Sequence, residues 1–174
     1  MIDFVSLPLF TELECNSILE LNLGFRDLNN SEVPVAIPTK RKSYFGKVSD
    51  LDLLSQIILP KVSQFGIKTL ENSQPMFIQY NKGDYFEPHT DTPYSTDPST
   101  HRIYTLIIQL SDSDDYSGGD LKVEGKVGLR DKGAVIIFRS NKVHELTEIL
   151  SGQRNILVCM FPSSDLVLTK SSMI

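Results

Sequence analysis

Cysteine is scarce in this chain: 174 residues contain only Cys15 and Cys159. That excludes a disulfide framework, and the positions of the two thiols, one in an expected helix and one in an apolar strand, predict reduced, packed side chains. Long hydrophobic runs are also missing, with nothing near the roughly 18 uninterrupted apolar residues that a membrane span needs. Basic charge is in deficit, 17 Lys and Arg against 22 Asp and Glu, for a net charge of -5. Such a chain has no global attraction for phosphate backbones or anionic lipid, which argues against a nucleic-acid partner. The opening MIDFVSLPLFTELECN lacks the basic region and continuous apolar stretch of a secretory leader, so the expected compartment is the cytoplasm.

What is present reads as one globular domain over residues 1–174, because this length supports a full core but not two. Its expected division is a helical support over about 1–70 and a β core over about 74–162. Thr11 and Glu14 have capping-box spacing, and Leu13, Ile18, Leu19 and Leu21 recur at helical period, predicting a helix over 11–21. A second helix is expected from Asp50, or from Ser49 as its cap, to about Ile58, where Pro60 should end it. From residue 74 short segments rich in β-branched and aromatic residues follow one another: QPMFIQY, DYFEPHTD, RIYTLIIQL, DLKVEG, GAVIIF, KVHELTEIL and RNILVCMF. Seven or eight such strands predict an antiparallel sandwich or barrel with the helices against the outside of one sheet. The polar segment 92–100 reads equally as a mobile lid or a plain surface connection.

His89-Thr90-Asp91 carries the first chemical signal. Alternate residues of a strand point to one face roughly 7 Å apart, so both side chains can reach one ion. With His144 as a third donor, two imidazoles and one carboxylate leave metal positions open, as non-haem iron(II) oxygenases require. Zinc fits the same donors, and a His-x-Asp arises among three histidines by chance about one time in five, so the triad alone does not decide. Arg154 adds the discriminating feature. A hairpin turn at Ser151-Gly152-Gln153 is expected to return the strand beside His144, with Arg154, Ile156, Val158 and Met160 on one face. A guanidinium on an otherwise apolar interior face needs a carboxylate, and a dicarboxylic co-substrate would supply one. Tyr80, on the strand before His89, is placed to add a phenolic hydrogen bond, or is a core tyrosine.

Taken in order, Tyr80-Asn81-Lys82-Gly83, His89-Thr90-Asp91, Arg102, LSDSDDYSGGDL, Gly133-Ala134-Val135, His144 and Arg154 resemble the prolyl-4-hydroxylase type of 2-oxoglutarate and iron(II)-dependent dioxygenases. The small PKHD-type hydroxylases are the nearest in pattern. The resemblance covers roughly residues 74–161 and implies a double-stranded β-helix, with iron(II) held by His89, Asp91 and His144. It also implies that Arg154 and Tyr80 anchor 2-oxoglutarate and that O2 is consumed, with ascorbate as an accessory reductant. The implied reaction hydroxylates a peptidyl or free amino-acid side chain, proline first, and releases succinate and CO2. Arg102, Tyr94 and Arg41 are the expected substrate-facing residues.

Two departures fall near the co-substrate and substrate. A second tyrosine found in some members after Arg102 is replaced by Ile108 or Gln109, whichever points inward, and the second arginine of nucleic-acid demethylases is Met160 here. Two other classes stay open on sequence: a zinc hydrolase, suggested by His144-Glu145-Leu146-Thr147-Glu148, and a non-catalytic barrel that binds or scaffolds. The first lacks a second histidine and reads as a strand. Asp112, Asp114 and Asp115 read as a solvated turn, His101 has no partner signature, and Thr39-Lys40-Arg41-Lys42 reads as a basic edge better suited to an acidic or backbone-rich peptide than to DNA.

Overall fold

The computed structural model describes residues 3–27, 40–92 and 102–162. Their elements in chain order are β1 (Phe4–Pro8), α1 (Glu12–Glu20), β2 (Asn22–Asp27), β3 (Arg41–Lys42), β4 (Tyr44–Val48), α2 (Leu51–Val62), β5 (Met76–Asn81) and β6 (Tyr85–His89). There follow β7 (Arg102–Gln109), β8 (Tyr116–Gly118), β9 (Leu121–Val123), β10 (Lys126–Val127), β11 (Ala134–Arg139), β12 (His144–Leu146) and β13 (Ile149–Pro162). Two antiparallel sheets result among the described residues. The larger has the order β1-β11-β7-β13-β5-β4-β2, with β8 joined to β13, and the smaller has the order β10-β9-β12-β6-β3. Two facing sheets with helices outside one of them form the double-stranded β-helix that the sequence resemblance implies.

Helix α1 starts where the sequence predicts. The Thr11 hydroxyl accepts from the Glu14 amide at 3.3 Å, and the Glu14 carboxylate accepts from the Thr11 amide at 2.7 Å. Helix α2 is capped by Asp50, whose carboxylate accepts from the Leu53 amide at 2.9 Å. It does not stop before Pro60, however, but continues to Val62. Pro60 and Gln56, whose carbonyl loses its helical partner, both lie on the exposed face, while Leu54, Ile58 and Val62 are fully buried. Packing of the next buried turn therefore outweighs the cost of one water-facing carbonyl.

The region expected to be purely helical support also contributes β1, β2, β3 and β4. β1 adds to the larger sheet against β11, with Phe4 opposite Phe138 and Pro8 opposite Ala134. These strands escaped sequence reading because β3 is two residues long, while β2 at the edge of the larger sheet and β4 beside it have mixed polarity and show little alternation.

The core forms two layers, divided by side-chain parity on the larger sheet. Leu157, Cys159 and Phe161 of β13 face the helices, meeting Cys15, Ile18, Leu54 and Ile58. Ile156, Val158 and Met160 face the smaller sheet and meet Leu121, Val123 and Leu146. Both cysteines are free and buried, and burial pushes their thiols up to about 11 and about 12. They are packing residues.

The hairpin expected at Ser151-Gly152-Gln153 does not exist. The chain does not reverse there: it runs on in one direction from His144 to Gly152, antiparallel to the stretch from Val123 back to Tyr116, and β13 continues without a break from Ile149 to Pro162. Its first part pairs with β8, placing Gly152 opposite Tyr116, and its remainder pairs with β5 and β7. Gly152 lies at φ 74, where a Cβ would collide with the Asp115 carbonyl. A bent strand replaces the turn because only glycine lets these backbones meet at that angle. Gly152→Ala should therefore lower unfolding free energy by about 2 kcal/mol or more, measured by chemical denaturation, the cost of strain and collision together.

Candidate metal centre and carboxylate pocket

His89 ends β6 and His144 opens β12, and the two are cross-strand partners in the smaller sheet. That register, more than the spacing within either segment, brings the imidazoles together with ring centroids 4.1 Å apart. Each ring is oriented by its own backbone. His89 Nδ1 lies 2.7 Å from the Glu87 carbonyl, and His144 Nδ1 lies 3.1 Å from the Lys142 carbonyl. A carbonyl only accepts, so Nδ1 carries the proton and the Nε2 lone pair is left for a ligand bond. Phe86 stacks on His89 at 3.4 Å and Phe138 tilts against His144 at 4.6 Å, fixing both rings from outside. Burial, followed by the neighbouring His144, pushes the His89 imidazole down to about 4, so it is a neutral donor near pH 7.

Asp91 lies just beyond β6, anchored by its amide to the Ser140 carbonyl at 2.8 Å. Its carboxylate oxygens sit 3.8 Å from His89 Nε2 and 3.4 Å from His144 Nε2. Donors sharing one ion at about 2 Å lie about 3 Å apart, so a small contraction closes the set on a metal. The three ligand atoms all fall within 4.8 Å of one another. One side of the carboxylate is held by Thr105, whose hydroxyl donates to Asp91 Oδ2 at 2.6 Å and contacts the Ser140 hydroxyl at 3.1 Å. Three convergent acceptors with no proton between them form a site that a divalent cation relieves. Two imidazoles and a carboxylate suit iron(II) and leave positions for further ligands.

Arg154 stands opposite Tyr80 in the β13–β5 register and is 1% exposed. Its Nε donates to the Gln109 side-chain oxygen at 3.2 Å, and its guanidinium lies 6.0 Å from the Tyr80 ring. Nη2 is buried without any hydrogen-bond partner. No carboxylate pairs with Arg154 among the described residues. A full charge in such a place is costly unless an anion completes it, so the pocket fits a bound carboxylate. Gln109 is thus the inward residue of β7, along with Thr105 and Ile107, while Ile108 belongs to the helix-side layer.

Other expected site residues distribute around this centre. Arg41 lies over the Phe86 ring at 5.1 Å, behind the His89 stack. Arg102 donates to the Asp91 carbonyl at 3.4 Å and to the Gln74 side chain at 3.2 Å. Both guanidiniums therefore border the metal donors. Tyr94, His101, Thr39 and, apart from Thr92, the segment 92–100 read as a lid or surface connection lie outside the described residues. Glu145 points away from His144 and reaches Lys122 at 3.7 Å, and its segment is a strand, which removes the helical metalloprotease reading. Asp112 and Asp115 cap a 3-10 turn at Ser113–Asp115, as a solvated turn would.

Sequence reading missed Thr105, Phe86, Phe138 and Tyr116. The signal for Thr105 was available: it shares parity with Gln109 in the apolar run RIYTLIIQL. Tyr116 gave none, because its side chain is placed by the pairing of β8 with β13.

Comparison with known proteins agrees with this geometry. The sequence model of the 2OG-Fe(II) oxygenase superfamily matches residues 75–161, half of the chain. A PKHD-type hydroxylase of Caulobacter sp. (strain K31) is 34% identical over 88 residues, 46% of this chain and 39% of that protein, so the matched stretch spans well under half of the relative. Among solved structures, a viral collagen prolyl hydroxylase from Paramecium Bursaria Chlorella virus-1, in its 2OG complex, superposes with a TM-score of 0.64 at 14% identity, covering 91% of this chain and 95% of that one. A prolyl hydroxylase from Trichoplax adhaerens, in complex with a hypoxia inducible factor peptide fragment, gives 0.61 at 17% identity over 93% and 84%. At these identities the likeness is one of fold.

His89→Ala or Asp91→Ala should abolish iron(II) binding measured by anaerobic dialysis. Thr105→Val should weaken it roughly tenfold to a hundredfold while leaving the fold intact, as loss of a hydrogen bond behind a ligand does.

Proposed function

This chain belongs to the 2OG-Fe(II) oxygenase superfamily, and from that premise we propose that it is an iron(II)- and 2-oxoglutarate-dependent dioxygenase that hydroxylates an amino-acid or peptidyl side chain, with proline as the first candidate. The observation that carries the reading is Arg154, a buried guanidinium with an unpartnered Nη2, in the same inter-sheet space as the His89, Asp91 and His144 donors. A zinc hydrolase has no use for it. A scaffold barrel would gain stability by replacing it.

In this reading His89, Asp91 and His144 hold iron(II), with neutral Nε2 donors prepared by the carbonyls of Glu87 and Lys142. Thr105 holds Asp91 Oδ2 and so fixes the carboxylate with each oxygen toward one imidazole, Oδ1 3.8 Å from His89 Nε2 and Oδ2 3.4 Å from His144 Nε2. Arg154 receives the distal carboxylate of 2-oxoglutarate, with Gln109 holding the guanidinium at Nε and Tyr80 lining the opposite strand. When bound, iron(II) together with 2-oxoglutarate and O2 supplies the oxidising power for inserting oxygen into an unactivated C–H bond, with succinate and CO2 as co-products and ascorbate as an accessory reductant. Ile107, Ile136, Phe138 and Val158 wall the space between the sheets, which keeps bulk water from the reacting centre.

Arg41 and Arg102, beside the metal donors, are assigned to the substrate, together with Tyr94. Two guanidiniums at the mouth suit a peptide backbone or a carboxylate and give the acidic chain a locally basic entrance. The prolyl hydroxylases of similar fold, one of them bound to a peptide fragment, support the peptidyl class. The cytoplasm is the proposed compartment. Among the described residues no helix is long and apolar enough to cross a membrane.

The test is succinate release across prolyl peptides, free proline, other amino acids and methylated oligonucleotides. Release stimulated by the prolyl or amino-acid group is expected. Stimulation by oligonucleotides alone would overturn the substrate class, and turnover without 2-oxoglutarate would overturn the reaction. Arg154→Ala should retain most iron(II) affinity while weakening 2-oxoglutarate by a hundredfold or more, on the order of the 3–5 kcal/mol of a broken buried ion pair. Unchanged co-substrate affinity in that variant would remove Arg154 from the site.

A further inference from the structure

Arg154 Nη2 is not the only donor left unsatisfied in this part of the fold. Among the described residues, three buried side-chain polar atoms lack a hydrogen-bond partner, and two of them, Arg154 Nη2 and the Tyr116 hydroxyl, belong to neighbouring side chains. Their nearness follows from the strand register: Tyr116 pairs with Gly152, two residues before Arg154 on β13. After burial, Tyr116 is the largest influence on the Arg154 charge, ahead of Tyr80. The phenol oxygen faces the guanidinium and supports its charge, while neither the phenolic proton nor Nη2 has a protein acceptor in hydrogen-bond geometry among the described residues. Two desolvated donors converging without an acceptor describe an anion site.

We propose that Tyr116 is the second donor to the distal carboxylate of 2-oxoglutarate and makes the site selective for dicarboxylic over monocarboxylic 2-oxoacids; this rests on the co-substrate reading above. Gln109 occupies the inward position nearest Arg154 on β7, but its side-chain oxygen is engaged as an acceptor with Nε. The hydroxyl that complements Nη2 comes instead from β8, which lies along the same flank of β13 as β7, with Tyr80 of β5 on the other flank.

The surroundings of Tyr116 hold it for that purpose. Arg130 donates to the Tyr116 carbonyl at 3.0 Å and the Gly118 carbonyl at 2.7 Å, and pairs with Asp120 at 2.8 Å. Its guanidinium also lies 4.4 Å from the centre of the Tyr116 ring. One side chain thus fixes both the backbone and the ring of the donor. Arg130 is a positioning residue, acting through Tyr116.

The test compares two 2-oxoacids in anaerobic titrations of the iron(II)-loaded protein, followed by the visible charge-transfer band. Pyruvate can make the same metal chelate as 2-oxoglutarate but has no distal carboxylate. Tyr116→Phe keeps the ring and should weaken 2-oxoglutarate roughly tenfold to a hundredfold, the loss of one hydrogen bond to a charged group, with pyruvate affinity unchanged. Arg130→Gln should shift 2-oxoglutarate in the same direction by a smaller factor and also spare pyruvate. Unchanged 2-oxoglutarate affinity in Tyr116→Phe overturns the proposal, as does equal weakening of both acids, which marks a structural lesion. Absence of the band with wild-type protein and 2-oxoglutarate is a separate result, and it defeats the co-substrate reading itself.

Discussion

A guanidinium that is 1% exposed, with no carboxylate among the described residues to pair with it, is the constraint around which the inter-sheet space is organised. Burying a charge costs several kcal/mol even after the protein relaxes, and a single hydrogen bond to Gln109 does not recover it. The remainder has to come from something that binds. A fold stabilised for its own sake would place a methionine or leucine at residue 154, as it does at Ile156, Val158 and Met160 on the same face. On the proposed reading, the native chain instead carries a local instability that a dianionic ligand would convert into affinity.

The donors proposed for the metal and the donor proposed for the carboxylate come from different sheets. His89 and His144 are neighbours across β6 and β12 of the smaller sheet, whereas Arg154 and Gln109 lie on β13 and β7 of the larger. Their separation is therefore set by how the two sheets pack, through Ile107, Ile136, Phe138, Leu146 and Val158. Thr105 links the halves, since it belongs to β7 yet holds Asp91, which follows β6. Core packing here has a catalytic meaning: a volume change between the sheets alters the distance an oxoacid must span.

The sequence made the essential chemistry legible because the relevant signals are local. His89 and Asp91 are two residues apart, and the parity from Arg154 to Met160 is visible by inspection. The capping box at Thr11 and the free cysteines were equally plain. What stayed hidden depends on long-range pairing. Tyr116 looks like any loop tyrosine until β8 is laid against β13. Gly152 reads as a hairpin residue because its requirement for positive φ is the same in a turn and in a bent strand, and only the approach of the Asp115 carbonyl distinguishes them. Pro60 failed as a helix stop because the burial of Val62, one turn after Ile58, is a tertiary property.

Strand β13 lies between β7 and β5, so the last of the described strands occupies the middle of the larger sheet. Without β13, the strands β1, β11 and β7 have no link to β5, β4 and β2 within that sheet. Its contacts join segments far apart in sequence, a topology that folds slowly and cooperatively. The same strand carries the arginine. On the proposed assignment of Arg154, completing the sheet and completing the oxoacid pocket are therefore one event, and pairing His89 with His144 does not by itself provide a place for the co-substrate's distal carboxylate.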